Sequence, residues 1–256
     1  MEILQKILDL LQYNPKEPLL FNTGLFLFLF LFLALIYCAL KNKLTARLIF
    51  VTLFSYYFYY KSSGLYFCLL AIVTVSDWII GKRIAQTHEP EETDGGEPQN
   101  GRSRQARLWL ILSIVIDLGL LAFFKYTNFF AGMIAQMIGE NFQPWDIFLP
   151  AGISFFTFKS ISYTVDVYRG KMKPVDSLLD YAFYVSFFPV LLAGPIVRAT
   201  DFIPQIRKPL SISKHMLAFG AYLIVIGLFK KMVISDYISV NFVSRVFDNP
   251  TLFSGG

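Results

Sequence analysis

Long apolar runs separated by short basic connections set the pattern of this chain. Residues 1–18 come first, with Ile3, Leu4, Ile7, Leu8 and Leu11 at helical spacing and a stop near Asn14-Pro15. That periodicity predicts a short amphipathic helix lying in a membrane interface. A first spanning helix is predicted over 19–40, a second over 44–60 and a third over 63–81. The second ends in the aromatic cluster YYFYY, which suits the membrane–water boundary. Residues 82–107 carry few large apolar side chains and are rich in Glu, Gly, Pro and Gln, which predicts a mobile loop. A fourth span is predicted over 108–124, and KYTN then breaks it from a shorter apolar piece at 129–139. A fifth span is predicted over 149–168.

Residues 181–197 are apolar but interrupted by Pro189 and by Gly194-Pro195. The run from Tyr181 to Gly194 is too short to cross a hydrocarbon core of ~30 Å. It is expected to enter and leave on one face, delivering Arg198 to that face, with a basic interfacial stretch following to 214. An apolar helix is then expected over 215–229, followed by Lys230-Lys231.

Composition turns this pattern into a class. Of 256 residues, 55% are hydrophobic and only 16% charged, against roughly 25% charged in soluble domains. The expectation is an all-α, polytopic membrane helix bundle of about six spans. The first, third and fifth loops hold three, five and three Lys or Arg, while the second and fourth hold one each, Lys61 and Lys125. The alternation places the N-terminus outside, with 82–107 cytoplasmic. Lys230-Lys231 fits neither side cleanly. The net charge of +5 therefore sets topology and implies no nucleic-acid partner. Cys38 and Cys68 lie in apolar runs without metal spacing, so no metal site is expected.

An ionisable residue inside a span is costly unless paired or hydrated. Asp77 lies about one turn from Lys82-Arg83, which offers a simple structural partner. Asp117 has only Ser113 one turn back, so it is expected to pair with another helix. The most polar helix holds Lys159, Tyr163 and Asp166 on one face, with Ser162, Asp166 and Arg169 on an overlapping stripe. That face reads equally as an internal clamp or as the lining of a substrate path. No GxSxG, HExxH or Gly-rich phosphate loop is present. His88 and His215 sit in polar surroundings and are poor catalytic candidates.

Three stretches in series, LLAFFKYTNFF, LPAGISFFTFKSISYTVDVYRG and FFPVLLAGPIVRATDFIPQI, resemble the membrane-bound O-acyltransferase superfamily. The resemblance is strongest to its bacterial alginate O-acetyltransferase-like branch and spans roughly 110–240. Val190, Lys159 and the acidic insert at 88–98 depart from the family pattern.

The resemblance implies transfer of an acyl group to a hydroxyl of an exported or cell-surface polysaccharide such as alginate. It implies acetyl-CoA or another acyl carrier as donor, with no bound cofactor, and a bacterial inner-membrane location. It also implies a polysaccharide acceptor and extracytoplasmic acetyltransferase partner proteins. Candidate channel or donor-binding residues are then Lys159, Tyr163, Asp166, Arg169, Gly194, Pro195 and Arg198. Arg198 would hold an anionic donor through a forked contact or anchor the chain to lipid head groups. The family's catalytic histidine is expected beyond Gly256, so residues 1–256 read as the N-terminal part of one such membrane domain. Two other classes remain open at this point: a transporter or channel, which also uses broken helices, and a non-catalytic scaffold of an acetylation complex.

Overall fold

The computed structural model describes residues 2–87, 103–209, 211–249 and 252, and these are helical with no strand among them. They fall into two compact units, one made of residues 1–19 and 32–208, the other of 20–31 and 209–256.

In the first unit, α1 (Glu2–Leu11) is held by its C-terminal end. Lys61 of α3 (Leu44–Ser63) donates to the Leu10 carbonyl at 2.9 Å and also to that of Gln12. Tyr57 donates to the Leu11 carbonyl at 3.2 Å. A helix C-terminus leaves carbonyls unsatisfied, and these side chains supply donors to that end.

Gly64, at φ +61, ends α3, a single 3₁₀ turn follows, and α4 (Phe67–Gln86) runs back. Tyr56 and Thr74, equidistant from that turn, meet hydroxyl to hydroxyl at 3.5 Å, as an antiparallel pair requires.

α5 (Arg104–Ile138) starts at Ser103, whose hydroxyl accepts the Gln105 N–H at 3.2 Å. It is one uninterrupted helix of 35 residues, not a span and a separate piece divided at KYTN. Lys125, Tyr126, Thr127 and Asn128 include no Pro, so every backbone N–H needed for the helix is present there. Asn128 instead fastens the loop beyond the helix: its amide donates to the Trp145 carbonyl at 2.8 Å and accepts the Trp145 N–H at 3.0 Å. Gly139, at φ +77, closes α5, with the Glu140 N–H on the Ala135 carbonyl at 2.9 Å.

α6 (Ile153–Tyr168) begins after Gly152 and ends in a similar closure at Gly170, φ +70. α7 (Leu178–Ser186) is capped by Ser177. A 3₁₀ turn at Phe188–Val190 and an irregular stretch to 198 follow, and then α8 (Ala199–Ile206).

α4, α5 and α6 pack on one another, and α7 packs against α3, α4 and α6. The interior stripe of α5 is Ala106, Ser113, Asp117 and Leu121, all buried, while Leu108, Ile111, Leu112, Val115 and Leu118 face outward. A helix with carboxyl and hydroxyl groups inside and leucines outside is matched to lipid, because water would drive the reverse arrangement. The core they enclose includes Tyr59, Leu70, Val73, Ile80, Phe156, Tyr163, Tyr181 and Tyr184.

Among the described residues, three helical stretches are long and apolar enough to cross a membrane: Leu44–Gln86, Arg104–Ile138 and Lys214–Asp248. The first contains the α3–α4 turn. α2 (Gly24–Ala39) and α6 have 16 residues each, or ~24 Å at 1.5 Å per residue, shorter than α3, α4 and α5. α7 has nine, about half the length that α6 reaches, so the apolar run from 181 forms no spanning helix. The polar loop is also narrower than its composition suggests: α4 continues to Gln86 and α5 begins at Arg104. His88 and the acidic insert lie outside the described residues.

In the second unit, α9 (Lys214–Asp248) starts at Ser213, which accepts the Met216 N–H at 3.1 Å. It does not stop at Phe229. It passes through Lys230-Lys231 in a wider π-type turn, where Lys231 pairs with Asp236. An internal ion pair on the same helix is how this lysine is accommodated.

Candidate functional site

On α6, Lys159, Tyr163 and Asp166 all point inward. Lys159 is 1% exposed, Tyr163 is fully buried and Asp166 is 5% exposed. They reach different partners.

The Lys159 ammonium donates to the carbonyls of Tyr184 at 2.6 Å and Val185 at 3.1 Å. It also lies 4.8 Å from the centre of the Tyr184 ring. These are carbonyls of the last turn of α7, where the chain leaves the helix and a cation is favoured by the helix dipole. The lysine therefore fixes the point at which α7 ends.

Tyr184 continues the connection. Its hydroxyl donates to the Val197 carbonyl at 2.9 Å, one residue before Arg198. Ser55 of α3 accepts the Phe188 N–H at 3.2 Å. Gly152 sits so close to the same stretch that a Cβ there would lie 2.4 Å from the Leu191 carbonyl oxygen. The irregular backbone from 187 to 198 is thus held by α3, by the start of α6 and by Tyr184. Non-helical backbone at membrane depth needs such internal partners.

Arg198 starts α8 and is exposed, as is Pro195, while Gly194 packs on Val190. Arg169 is exposed at the C-terminal end of α6. Lys159, buried, and Arg198, exposed, are therefore linked through Tyr184.

Tyr163 accepts the Val175 N–H at 3.1 Å, and its ring lies 4.5 Å from that of Tyr181. Gly81 of α4 makes room for it, since a Cβ at 81 would stand 2.7 Å from the Tyr163 hydroxyl. Trp78, one turn earlier, donates to the Val175 carbonyl at 2.9 Å. Together they pin the loop between α6 and α7 onto α4. Asp180 in the first turn of α7 takes Arg207 at 2.7 Å, tying α7 to the end of α8.

A cavity of about 360 Å³ opens beside this loop, lined by Lys173, Val175, Asp180, Ile203 and Arg207 among others. A second, of about 370 Å³, adjoins it at Lys82, Gln86, Pro174 and Asp176. Both lie at the end of the bundle where α4 and α6 finish and where α3, α5 and α7 start. Among the described residues, Lys82, Lys173 and Arg207 bring positive charge to these cavities.

Asp77 and Asp117 also meet, each fully buried. The group that Asp117 faces is another carboxyl, that of Asp77 on α4. Lys82 does not serve Asp77; it lies over the Trp78 ring at 4.0 Å. The roles of Ser55, Tyr184 and the Asp180–Arg207 pair were not signalled by the sequence. Tyr181 and Tyr184 at i, i+3 spacing were the only hint of a hydroxyl face on α7. Among the described residues no group of three or more His, Cys, Asp or Glu could hold a metal. His215 stacks on Phe219 at 6.4 Å.

Comparison with known proteins adds the evolutionary relation. The MBOAT, membrane-bound O-acyltransferase family, matches residues 115–251, from the middle of α5 to beyond α9. The chain is 33% identical over 267 aligned residues to the peptidoglycan O-acetyltransferase of Helicobacter pylori, covering 92% of this chain and 48% of that protein. It is 36% identical over 220 residues to the probable alginate O-acetylase AlgI of Pseudomonas aeruginosa, covering 84% of this chain and 39% of that one. A shorter similarity, 28% over 97 residues, links it to the teichoic acid D-alanyltransferase of Bacillus subtilis, over 37% of this chain and 25% of that protein. The chain spans less than half the length of these relatives. No solved structure gives a significant match. The family match covers more than half of the sequence and includes the whole segment from Lys159 to Arg198: the chain belongs to the membrane-bound O-acyltransferase family.

Proposed function

We propose that this chain is part of a membrane O-acyltransferase that places acetyl groups on hydroxyls of an exported or cell-surface polysaccharide. Alginate and peptidoglycan, named in its relatives, are the model acceptors. The donor is acetyl-CoA or another acyl carrier. In such a reaction an acceptor hydroxyl oxygen bonds to the acyl carbonyl carbon, the carrier leaves, and the hydroxyl proton passes to a base. The observation that carries this reading is the family match across the anchored, non-helical 187–198 stretch.

Within that frame, residues 1–256 supply position more than chemistry. Lys159 and Tyr184 set the backbone from which Arg198 projects, and Arg198, exposed at the start of α8, is assigned the anionic part of the donor. The basic end of the bundle is assigned to the cytoplasm, the N-terminus to the outside, and the whole to the bacterial inner membrane as a multi-pass protein of about six spans. The stretch from 181 to 198 is then re-entrant from the cytoplasmic face. Extracytoplasmic acetyltransferase proteins are its expected partners.

The test uses membrane vesicles holding the full-length gene product, isotope-labelled acetyl-CoA on the cytoplasmic side and an acceptor polysaccharide. Label should reach polysaccharide hydroxyls, and Arg198→Ala should reduce transfer at subsaturating donor more than at saturating donor. Transfer that is independent of the gene product would remove the assignment.

A further inference from the structure

We propose that Asp77 and Asp117 form a one-proton site at the centre of the helix bundle, with Asp117 carrying the proton and donating it to an ionised Asp77. This is independent of the acyl-transfer reading.

The geometry is specific. Asp77 of α4 and Asp117 of α5 are both fully buried, with carboxyl groups within interaction distance of one another. Neither forms an ion pair with a lysine or arginine among the described residues. Two negative charges that close, without a cation or water-exposed edge, cannot coexist in an apolar interior. One positive charge has to be present.

The hydroxyls show where it sits. The Ser113 hydroxyl donates to Asp77 Oδ1 at 2.8 Å and lies 3.1 Å from Thr164 Oγ1. Ser160 also faces Asp77, and it meets the Tyr181 hydroxyl at 3.2 Å. Donors therefore converge on Asp77, which stabilises its ionised form. Among the described residues no donor hydrogen-bonds to either oxygen of Asp117 or to Asp77 Oδ2. A single proton held by Asp117 and shared with Asp77 gives each carboxyl a partner and removes one of the two charges.

The titratable neighbours from the other packed helices are Tyr163 of α6 and Tyr181 of α7, which are neutral phenols and supply no countercharge. The site joins α4, α5 and α6, the three helices that pack together, so its charge state is coupled to how they hold.

Infrared spectroscopy of the purified protein in detergent at neutral pH reads the proton directly. A carboxylic-acid carbonyl band is expected, shifting when aspartate is isotope-labelled and vanishing in Asp117→Asn. The Asn amide supplies the same donor, so the thermal midpoint of Asp117→Asn should stay close to wild type. If that variant does not fold, the isotope shift in the wild type decides alone. Absence of an aspartic-acid band overturns the proposal. Absence combined with a midpoint that rises when potassium is exchanged for sodium would place a metal cation between the carboxylates instead, which also overturns it.

Discussion

Replacing Gly152 with alanine strikes the contact that holds the 187–198 stretch against the start of α6. Two penalties act together. Gly152 has φ +75, a left-handed conformation that costs an L-residue about 1–2 kcal/mol. Its added Cβ would also stand 2.4 Å from the Leu191 carbonyl oxygen and 3.0 Å from the Leu192 Cα. Both are backbone atoms, so no side-chain rotation relieves the overlap, and overpacking of this kind costs about 1–3 kcal/mol. The sum is about 2–5 kcal/mol.

Gly170 provides the internal control. Its φ is +70, yet nothing lies within 4 Å of a Cβ built there, so Gly170→Ala should lose only the conformational part, about 1–2 kcal/mol. Thermal unfolding of the two variants in the same detergent compares them. Gly152→Ala should unfold distinctly earlier than Gly170→Ala. It should also expose a cysteine placed at Leu192 to a water-soluble thiol reagent, because Leu191 and Leu192 must move. Equal midpoints, with no gain in labelling, would show that the irregular stretch does not rest on α6.

Other substitutions test the remaining links. Gly81→Ala should push the Tyr163 hydroxyl off Val175 and cost more than Tyr163→Phe, which loses one hydrogen bond of about 1 kcal/mol; chemical denaturation compares them. Lys159→Met keeps the bulk but strands the Tyr184 and Val185 carbonyls, at about 1–3 kcal/mol, and protease nicking between 187 and 198 should rise. Arg207→Ala leaves the buried Asp180 carboxylate without its cation, so its thermal midpoint should fall, and Asp180→Asn in the same background should recover part of the loss. Arg198→Ala should leave the thermal midpoint unchanged, because Arg198 is exposed, while reducing acetyl transfer.

The apolar runs could be read from the sequence because hydrocarbon imposes both length and composition on a spanning segment. The inward face of α6 was legible for a similar reason: Lys159, Tyr163 and Asp166 at i, i+4 and i+7 share a side of any helix, and all three are buried. KYTN misleads because its polarity resembles a break, yet α5 runs through it. Polar side chains remove no backbone hydrogen bond from a helix, and Asn128 within α5 has a job outside it, holding Trp145. Local spacing also said nothing about which helices meet. Asp117 lies 40 residues beyond Asp77 in the chain, and their meeting depends on how α4 and α5 pack. The same holds for Tyr184 on Val197 and Ser55 on Phe188, where a hydroxyl finds a backbone group exposed by a distant irregularity.

The most direct test of the assignment is mass spectrometry of cell-surface polysaccharide from cells with the full-length gene intact, deleted, and restored with either the wild-type sequence or Arg198→Ala. The account predicts O-acetyl groups with the intact gene, their loss on deletion, recovery with wild type and weak recovery with Arg198→Ala. Unchanged O-acetylation after deletion would contradict it.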